Sequence, residues 1–190
     1  MAARRMKITA LCALALLSVG AFAGCGKSSN KEGETVREGL STPLGGLRYT
    51  VFLTRQLNLK NEEDKGYLPG YEEAPPGKGL YGVFLEACNK GDKAATAASR
   101  FFIEDTQGNR FTPQGLGADN PFAYHGGSVD PENCMPTRGS LAQQGPTSGA
   151  MLLFELPLDA TENRPLELHI EGPFDASEGK PSEATVILDI

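Results

Sequence analysis

The fold class follows from one stretch of the chain, Leu47-Arg48-Tyr49-Thr50-Val51-Phe52-Leu53-Thr54-Arg55-Gln56-Leu57-Asn58-Leu59. Apolar and polar side chains alternate along its first half, with Leu47, Tyr49, Val51 and Leu53 set against Arg48, Thr50 and Thr54. Successive side chains of a β-strand point to opposite faces, so this period of two predicts a strand that buries one face.

Further strand-like segments follow, separated by turn residues. They are Leu80 to Cys88, Ser99 to Glu104, Asn109 to Thr112, Ala150 to Leu158, Leu166 to Ile170 and Val186 to Ile190. Gly108 supplies the left-handed turn for a hairpin, and the one helix-like stretch is Lys93 to Ser99. About seven short strands predict an all-β sandwich over residues 46–190.

The composition agrees with a turn-rich β domain. Glycine occurs 23 times and proline 13 times among 190 residues, and the hydrophobic fraction of 39% is enough for a core. The formal net charge is −6, and it becomes more negative once a basic leader is removed. Because nucleic acid repels an acidic domain, we expect no nucleic-acid partner.

Residues 1–24 have the organisation of an export signal. Three basic residues, Arg4, Arg5 and Lys7, precede an apolar run from Ile8 to Val19, which is too short for a permanent membrane span. Ala23-Gly24-Cys25 resembles the bacterial lipobox, although Phe22 replaces the usual leucine. The resemblance implies cleavage before Cys25, attachment of lipid to its sulfur, and a location on the extracytoplasmic face of a membrane.

The segment after the lipid attachment site is polar and rich in glycine and serine. Residues 25–45 are therefore interpreted as a lipidated, flexible tether between the membrane and the domain. The membrane partner is reached through this N-terminal lipid. We expect a further partner among the proteins of the cell envelope.

Four cysteines are present, and two of them are accounted for by export. Cys12 leaves with the signal peptide and Cys25 carries lipid, so Cys88 and Cys134 remain as a pair in an oxidising compartment. We expect a structural disulfide between them. Free thiols, or a metal or redox site, are the alternatives that the sequence leaves open.

Two long connections interrupt the strand pattern. Asn61 to Gly79 is acidic and rich in proline, and Gln114 to Arg138 contains His125 and Cys134. Long loops in compact domains are usually functional or disordered, so these are candidate binding regions. Tyr67 and Tyr71, with the surrounding acidic residues, are the predicted contact surface.

Several segments together resemble a known family, the telokin-like, immunoglobulin-like extracellular domains of bacterial lipoproteins and secreted antigens. They are Gly46 to Val51, Gly79 to Asp92, Phe101 to Phe111, Leu152 to Leu158 and Pro165 to Ile170. The resemblance implies an immunoglobulin-like β-sandwich of about seven strands without established catalytic residues, and it supplies no site. The long Asn61 to Gly79 connection and the cysteine pair depart from the family pattern.

The sequence offers little catalytic chemistry. It has no G-x-S-x-G motif, and His125 and His169 are its only histidines, with His169 expected on the solvated face of a strand. We therefore expect no enzyme and no cofactor, but a membrane-anchored extracytoplasmic lipoprotein that acts as a non-catalytic binding or accessory module. The alternative is an envelope protein that handles copper or zinc through His125 and Met135, near Cys134.

Overall fold

The computed structural model describes residues 30–145, 147–176 and 179–190. The strands in these ranges are β1 (Val36–Arg37), β2 (Ser41–Leu44), β3 (Leu47–Leu57), β4 (Lys78–Asn89), β5 (Ala95–Ala97), β6 (Arg100–Glu104), β7 (Arg110–Phe111), β8 (Gly127–Val129), β9 (Cys134–Met135), β10 (Ala150–Pro157), β11 (Leu166–Asp175) and β12 (Lys180–Leu188). The helices are α1 (Glu62–Tyr67) and α2 (Leu141–Gln144), and Ala160–Glu162 forms a 3-10 turn. Within the described residues, no helix combines the length and the apolar character needed to cross a membrane.

Two sheets face each other across the core. Sheet I has the strand order β1-β12-β11-β6-β7, and sheet II has the order β10-β4-β3-β2, with β9 pairing the end of β4 that β10 leaves free. The small pair β5-β8 is separate. The predicted all-β sandwich is confirmed. The described ranges contain twelve strands instead of about seven, because many of them have only two to four residues and carry no recognisable hydrophobic period.

The sequence pattern predicted the inner face of sheet II well. Tyr81, Val83 and Leu85 of β4 are all buried in the core between the sheets. The continuous apolar run of β10 is buried on both faces, as predicted: Leu152 and Phe154 join this main core, and Met151 and Leu153 join a second cluster. The second cluster lies on the outer face of sheet II.

The predicted hairpin between Ser99 and Thr112 is present as β6 and β7. Gly108 has a φ of 81°, in the left-handed region that favours glycine. The Asp105 carboxylate accepts hydrogen bonds from the backbone N–H groups of Gln107 and Asn109. The backbone N–H groups within the turn therefore have fixed acceptors.

The domain begins earlier in the chain than residue 46. β1 and β2 lie within the range 25–45 that was predicted as a tether, and Val36, Thr42 and Leu44 are buried. β1 pairs in parallel with β12, which adds a strand at the edge of sheet I. The tether prediction is wrong for residues 36–44, since these residues complete both sheets. Residues 1–29, with the predicted signal peptide and Cys25, lie outside the described residues.

Two local predictions are also wrong. Lys93 to Ser99 is not helical: its central residues form β5, which pairs with β8. The helix lies instead in the Asn61 to Gly79 connection, as α1. The Asn61 side chain caps α1 by accepting a hydrogen bond of 2.9 Å from the Glu63 N–H, and three acidic residues occupy the first turn.

A β-bulge at Phe52 changes the face that β3 presents. Val51 pairs with Leu85 and Leu53 pairs with the adjacent Phe84, so Phe52 is an extra residue on β3. Leu53 consequently lies on the outer face and is 39% exposed, while Thr54 takes a buried position. The prediction that Leu53 shares a face with Tyr49 and Val51 is wrong, because the bulge inverts the alternation after Val51.

Candidate functional site

Tyr67 and Tyr71 do not form the exposed pair that the sequence suggested. Tyr67 is only 2% exposed, and its ring packs edge-on against Phe84 and Phe122 at centroid distances of 5.2 and 4.7 Å. Tyr71 is half-buried, and its hydroxyl donates a hydrogen bond of 2.6 Å to the Gly115 carbonyl. The predicted contact surface is therefore wrong for Tyr67, whose ring stabilises the second cluster and is not available to a partner.

Helix α1 is held on the outer face of sheet II by a buried acidic group. Asp64 is 4% exposed, and its carboxylate accepts hydrogen bonds from the Arg55 guanidinium at 2.5 Å and from the Asn58 N–H at 2.9 Å. Arg55 belongs to β3, so this ion pair joins the helix to the sheet. The acidic connection thus covers one end of the outer face, where Leu116 and Phe122 also pack against the second cluster.

A groove of about 460 Å³ occupies the open part of this face. We call it the outer groove; it is lined by Phe52, Leu53, Glu86, Pro136, Gln143, Thr147, Ser148 and Gly149. Phe52 is 38% exposed and Leu53 is 39% exposed. Apolar side chains that are this accessible and adjacent mark a candidate interaction surface.

Gly149 makes the close packing at the edge of the groove possible. Its φ is 110°, and an added Cβ would lie 2.8 Å from the Leu85 nitrogen and 3.1 Å from the Phe52 ring. No side chain fits at this position without displacing β4 or the bulge residue. The groove therefore depends on glycine at position 149 as well as on the bulge.

Glu86 is the ionisable side chain among the residues that line the outer groove. Burial raises the pKa of its carboxyl above the ordinary value, and the nearby positive charges of Lys90 and Arg138 oppose this rise. The groove therefore combines two accessible apolar side chains with a half-buried carboxylate and two neighbouring cations. Such a surface suits recognition of an amphipathic partner.

The predicted disulfide joins β4 to β9. Cys88 and Cys134 are bonded to each other and occupy directly opposite positions in the two strands. Because Glu86 and Cys88 are two residues apart on β4, they share the outer face, and the Glu86 carboxylate lies within 4.8 Å of both sulfurs. The disulfide therefore closes the end of the sheet beside the outer groove.

The residues of the metal alternative are not brought together as ligands. The Cys134 sulfur is engaged in the disulfide, Met135 packs against the main core, and His125 is exposed. In the ranges that the structure describes, the one cluster of three metal-capable groups consists of Glu86, Cys88 and Cys134. With both thiols oxidised, this cluster offers a single carboxylate, which is a poor site for copper or zinc.

His169 lies on the outer face of sheet I, where it is less solvated than predicted. Its side chain is 13% exposed, and its ring stacks on Phe102 at a centroid distance of 4.5 Å. Nδ1 contacts the Glu183 carboxylate, and Nε2 lies 3.8 Å from Glu167. These neighbours are carboxylates on the same strand and on the paired strand, an arrangement in which side chains stabilise the pairing of strands.

The sequence did contain a signal for the outer groove. Val51-Phe52-Leu53 is a run of three apolar residues in a segment that otherwise alternates, and such a break is typical of a bulge. The described residues identify the class of protein: it is an all-β sandwich with one disulfide and with an apolar groove on the outer face of one sheet.

Comparisons with known proteins find similar folds, but they do not assign the chain to a family. No family model matches the chain, and no curated protein matches it. It is similar to the yjhA protein of Bacillus subtilis, with a TM-score of 0.48 and 12% identity over 81% of this chain and 99% of that one. An uncharacterized β-sandwich protein of Clostridium difficile 630 gives a TM-score of 0.45 and 15% identity, over 86% of this chain and 99% of the other.

A third similar structure is a candidate lipoprotein, ycdA of Bacillus subtilis subsp. subtilis strain 168. Its TM-score is 0.46 at 7% identity, and the match covers 77% of this chain but only 38% of that protein. All three TM-scores are below 0.5, so these similarities carry no functional weight here.

Proposed function

We propose that the chain is a lipid-anchored, extracytoplasmic β-sandwich that works as a non-catalytic binding or accessory module, with the outer groove as its contact surface. The observation that carries the proposal is the exposure of Phe52 and Leu53 side by side in a groove. Neither side chain belongs to a hydrophobic core cluster of the described residues. A surface of this kind is typical of an interaction site.

Two features support an extracytoplasmic, anchored location. The Ala23-Gly24-Cys25 sequence provides a thiol for lipid attachment directly after an export signal. The bond between Cys88 and Cys134 suits an oxidising compartment, since cytosolic reductants keep most protein thiols reduced. Both features favour display of the domain on the outer side of a membrane.

The chemistry of the groove supports binding over catalysis. Its lining residues include a single ionisable side chain, Glu86, while the other polar ones are Gln143, Thr147 and Ser148. General acid–base and nucleophilic catalysis ordinarily use a nucleophile or acid together with a partner group within hydrogen-bond reach. The Ser148 hydroxyl of the lining donates its hydrogen bond, of 3.4 Å, to the Gln143 carbonyl.

Anchoring is tested by the fate of Cys25. Wild-type protein is expected in the membrane fraction, extracted only by detergent, with an intact mass that includes diacylglycerol and begins at Cys25. Cys25→Ser is expected to be released from the membrane. An unacylated wild-type chain in the cytosol would contradict the proposal.

The contact surface is tested by photocrosslinking in intact cells. A photoreactive phenylalanine analogue replaces Leu53, and the same analogue replaces Leu158 as the matched control, since Leu158 is also exposed, at 44%. Mass-shifted adducts are expected from position 53 and not from position 158. Equal labelling at the two positions would show that the outer groove is not the contact surface.

A further inference from the structure

The chain enters the domain at a fixed point on the edge of sheet II. The Asn30 side chain donates a hydrogen bond of 2.9 Å to the Ser41 carbonyl, at the start of β2. Cys25 is five residues before Asn30 in the sequence. Five extended residues span at most about 18 Å, so an acylated Cys25 keeps this edge of the sandwich close to the bilayer.

The entry point lies beside the apolar rim of the outer groove. Ser41 pairs with Thr50, and the Gly39 N–H donates to the Val51 carbonyl, which places the start of β2 next to the bulge residue Phe52. Leu40, which immediately precedes Ser41, is 53% exposed. The edge that the lipid holds near the membrane is therefore also an edge with accessible apolar side chains.

Positive charges cluster at the disulfide end of the same face, at the opposite end of β3 from the acidic connection. Arg48 pairs with Cys88, and Thr50, two residues further along β3, pairs with Glu86. Arg48 therefore lies on the outer face of sheet II, on the same side as Glu86. Lys90 and Arg138 are exposed and close enough to Glu86 to act on its charge. Arg48, Lys90 and Arg138 together with the Glu86 carboxylate have a positive net charge, although the formal net charge of the whole chain is −6.

We propose that this face lies on the bilayer that anchors Cys25, with Phe52 and Leu53 inserted among the lipids and Arg48, Lys90 and Arg138 at anionic headgroups. The proposal rests on the lipid anchor of the proposed function, and it names the bilayer as the occupant of the outer groove. Apolar side chains flanked by basic residues are the usual composition of surfaces that bind a membrane interface.

The short connection explains why weak contacts are sufficient. The first chain segment fixed to the domain is within about 18 Å of the acylated residue, so the bilayer is present at a high effective concentration. Two apolar side chains and three cations would bind a vesicle weakly if the domain were free. On a tethered domain the same contacts select one orientation, with sheet II towards the membrane and sheet I away from it.

The absence of tryptophan from the chain makes a direct test possible. Full-length acylated protein is reconstituted into vesicles of phosphatidylcholine and phosphatidylglycerol as the single-tryptophan variant Phe52→Trp. Leu158→Trp is the matched control. Leu158 comes directly after β10, and Ala150, at the start of β10, follows the groove residue Gly149. The eight residues between them span roughly 26 Å at about 3.3 Å per residue, so Leu158 lies far from the groove. Lipids with brominated acyl chains quench only indole groups that enter the bilayer.

The expected results separate the apolar and the ionic contributions. Brominated lipid should lower the emission of Phe52→Trp about twofold and leave that of Leu158→Trp nearly unchanged. Adding Arg48→Glu and Arg138→Glu, or replacing phosphatidylglycerol by phosphatidylcholine, should reduce the quenching. Leu53→Trp serves as a second reporter if Phe52→Trp fails to fold by circular dichroism.

Three results would contradict the membrane-contact proposal, and they have different consequences for the proposed function. Absence of acyl groups in the intact mass removes the anchor and the proposed function together. Acylated protein in which neither groove reporter is quenched rejects the bilayer contact alone. Emission that shifts to the blue in native envelopes, but not in pure lipid vesicles, assigns the groove to a protein partner.

Discussion

The Tyr67 hydroxyl accepts a hydrogen bond of 3.0 Å from the backbone N–H of Thr147, a residue 80 positions later in the chain. Both groups are buried, and Thr147 lines the outer groove. The second cluster beneath α1 and the wall of the groove are therefore joined by one hydrogen bond. A residue that was expected to contact a partner instead supports the surface where contact is proposed.

Removing this hydroxyl should destabilise the protein. Tyr67→Phe keeps the ring contacts but leaves the Thr147 N–H without its acceptor, which costs about 1–3 kcal/mol for a buried donor. Urea denaturation followed by circular dichroism measures the loss. Tyr71→Phe is the matched control, because its hydroxyl bonds the exposed Gly115, and it should cost less. Equal losses would mean that the Thr147 bond has no special importance.

Loss of the disulfide should have a larger effect. The bond closes a loop with a sequence separation of 46, for which chain entropy gives about 4 kcal/mol of stabilisation. The double variant Cys88→Ala, Cys134→Ala should therefore show a much lower urea midpoint than the wild type. Reductant should shift the wild type to a similar degree and leave the variant unchanged. An unchanged wild-type midpoint in reductant would contradict the prediction.

Gly149 should not tolerate a side chain. In Gly149→Ala the new Cβ would meet the backbone of Leu85, and a φ of 110° is unfavourable for any residue with a Cβ. We expect a loss of about 2–4 kcal/mol in the free energy of unfolding. Gly115→Ala is the control, since nothing lies within 4 Å of its Cβ position. The two variants should differ clearly in thermal melts, and similar melting temperatures would refute the packing explanation.

Glu86 should make stability depend on pH. Burial raises the pKa of its carboxyl in the folded protein above 4.5, the ordinary value, which the unfolded chain retains. Between these two values the folded protein binds more protons than the unfolded chain, so the free energy of unfolding falls as pH rises through this window. Glu86→Gln should therefore be more stable than the wild type above the window, and the difference should vanish below it.

Melting temperatures measured across the window check this sign. Glu72→Gln, which removes a carboxylate at an exposed position in the connection after α1, is the control for the loss of one negative charge. If the wild type is more stable than Glu86→Gln at neutral pH, the attraction of the Glu86 carboxylate to Lys90 and Arg138 outweighs the cost of its burial, and the predicted sign is wrong.

The strands with strong local patterns could be predicted from the sequence. The apolar run of β10 and the hairpin turn at Gly108 both depend on neighbouring residues alone, and both are present. The disulfide could be predicted because counting left only one pair of cysteines. The sandwich itself followed from these local signals.

The candidate site depends on contacts between distant segments, which the sequence does not display. Tyr67 is buried only because Phe122 and Thr147 arrive from later parts of the chain. The exposure of Leu53 requires the bulge at Phe52, whose ring lies against Gly149 from a later part of the chain. Residues 36–44 lack the alternation of apolar and polar residues that indicates a strand, and β1 depends on a partner that is remote in sequence.

The parallel pairing of β1 with β12 has a consequence for folding. Val36 pairs with Val186, 150 positions later, so sheet I gains its edge strand only when the residues up to Val186 are available. Contacts of such sequence separation form slowly, because a long loop must close before they contribute. A chain emerging from a ribosome or an export channel therefore holds β1 unpaired until Val186 has emerged.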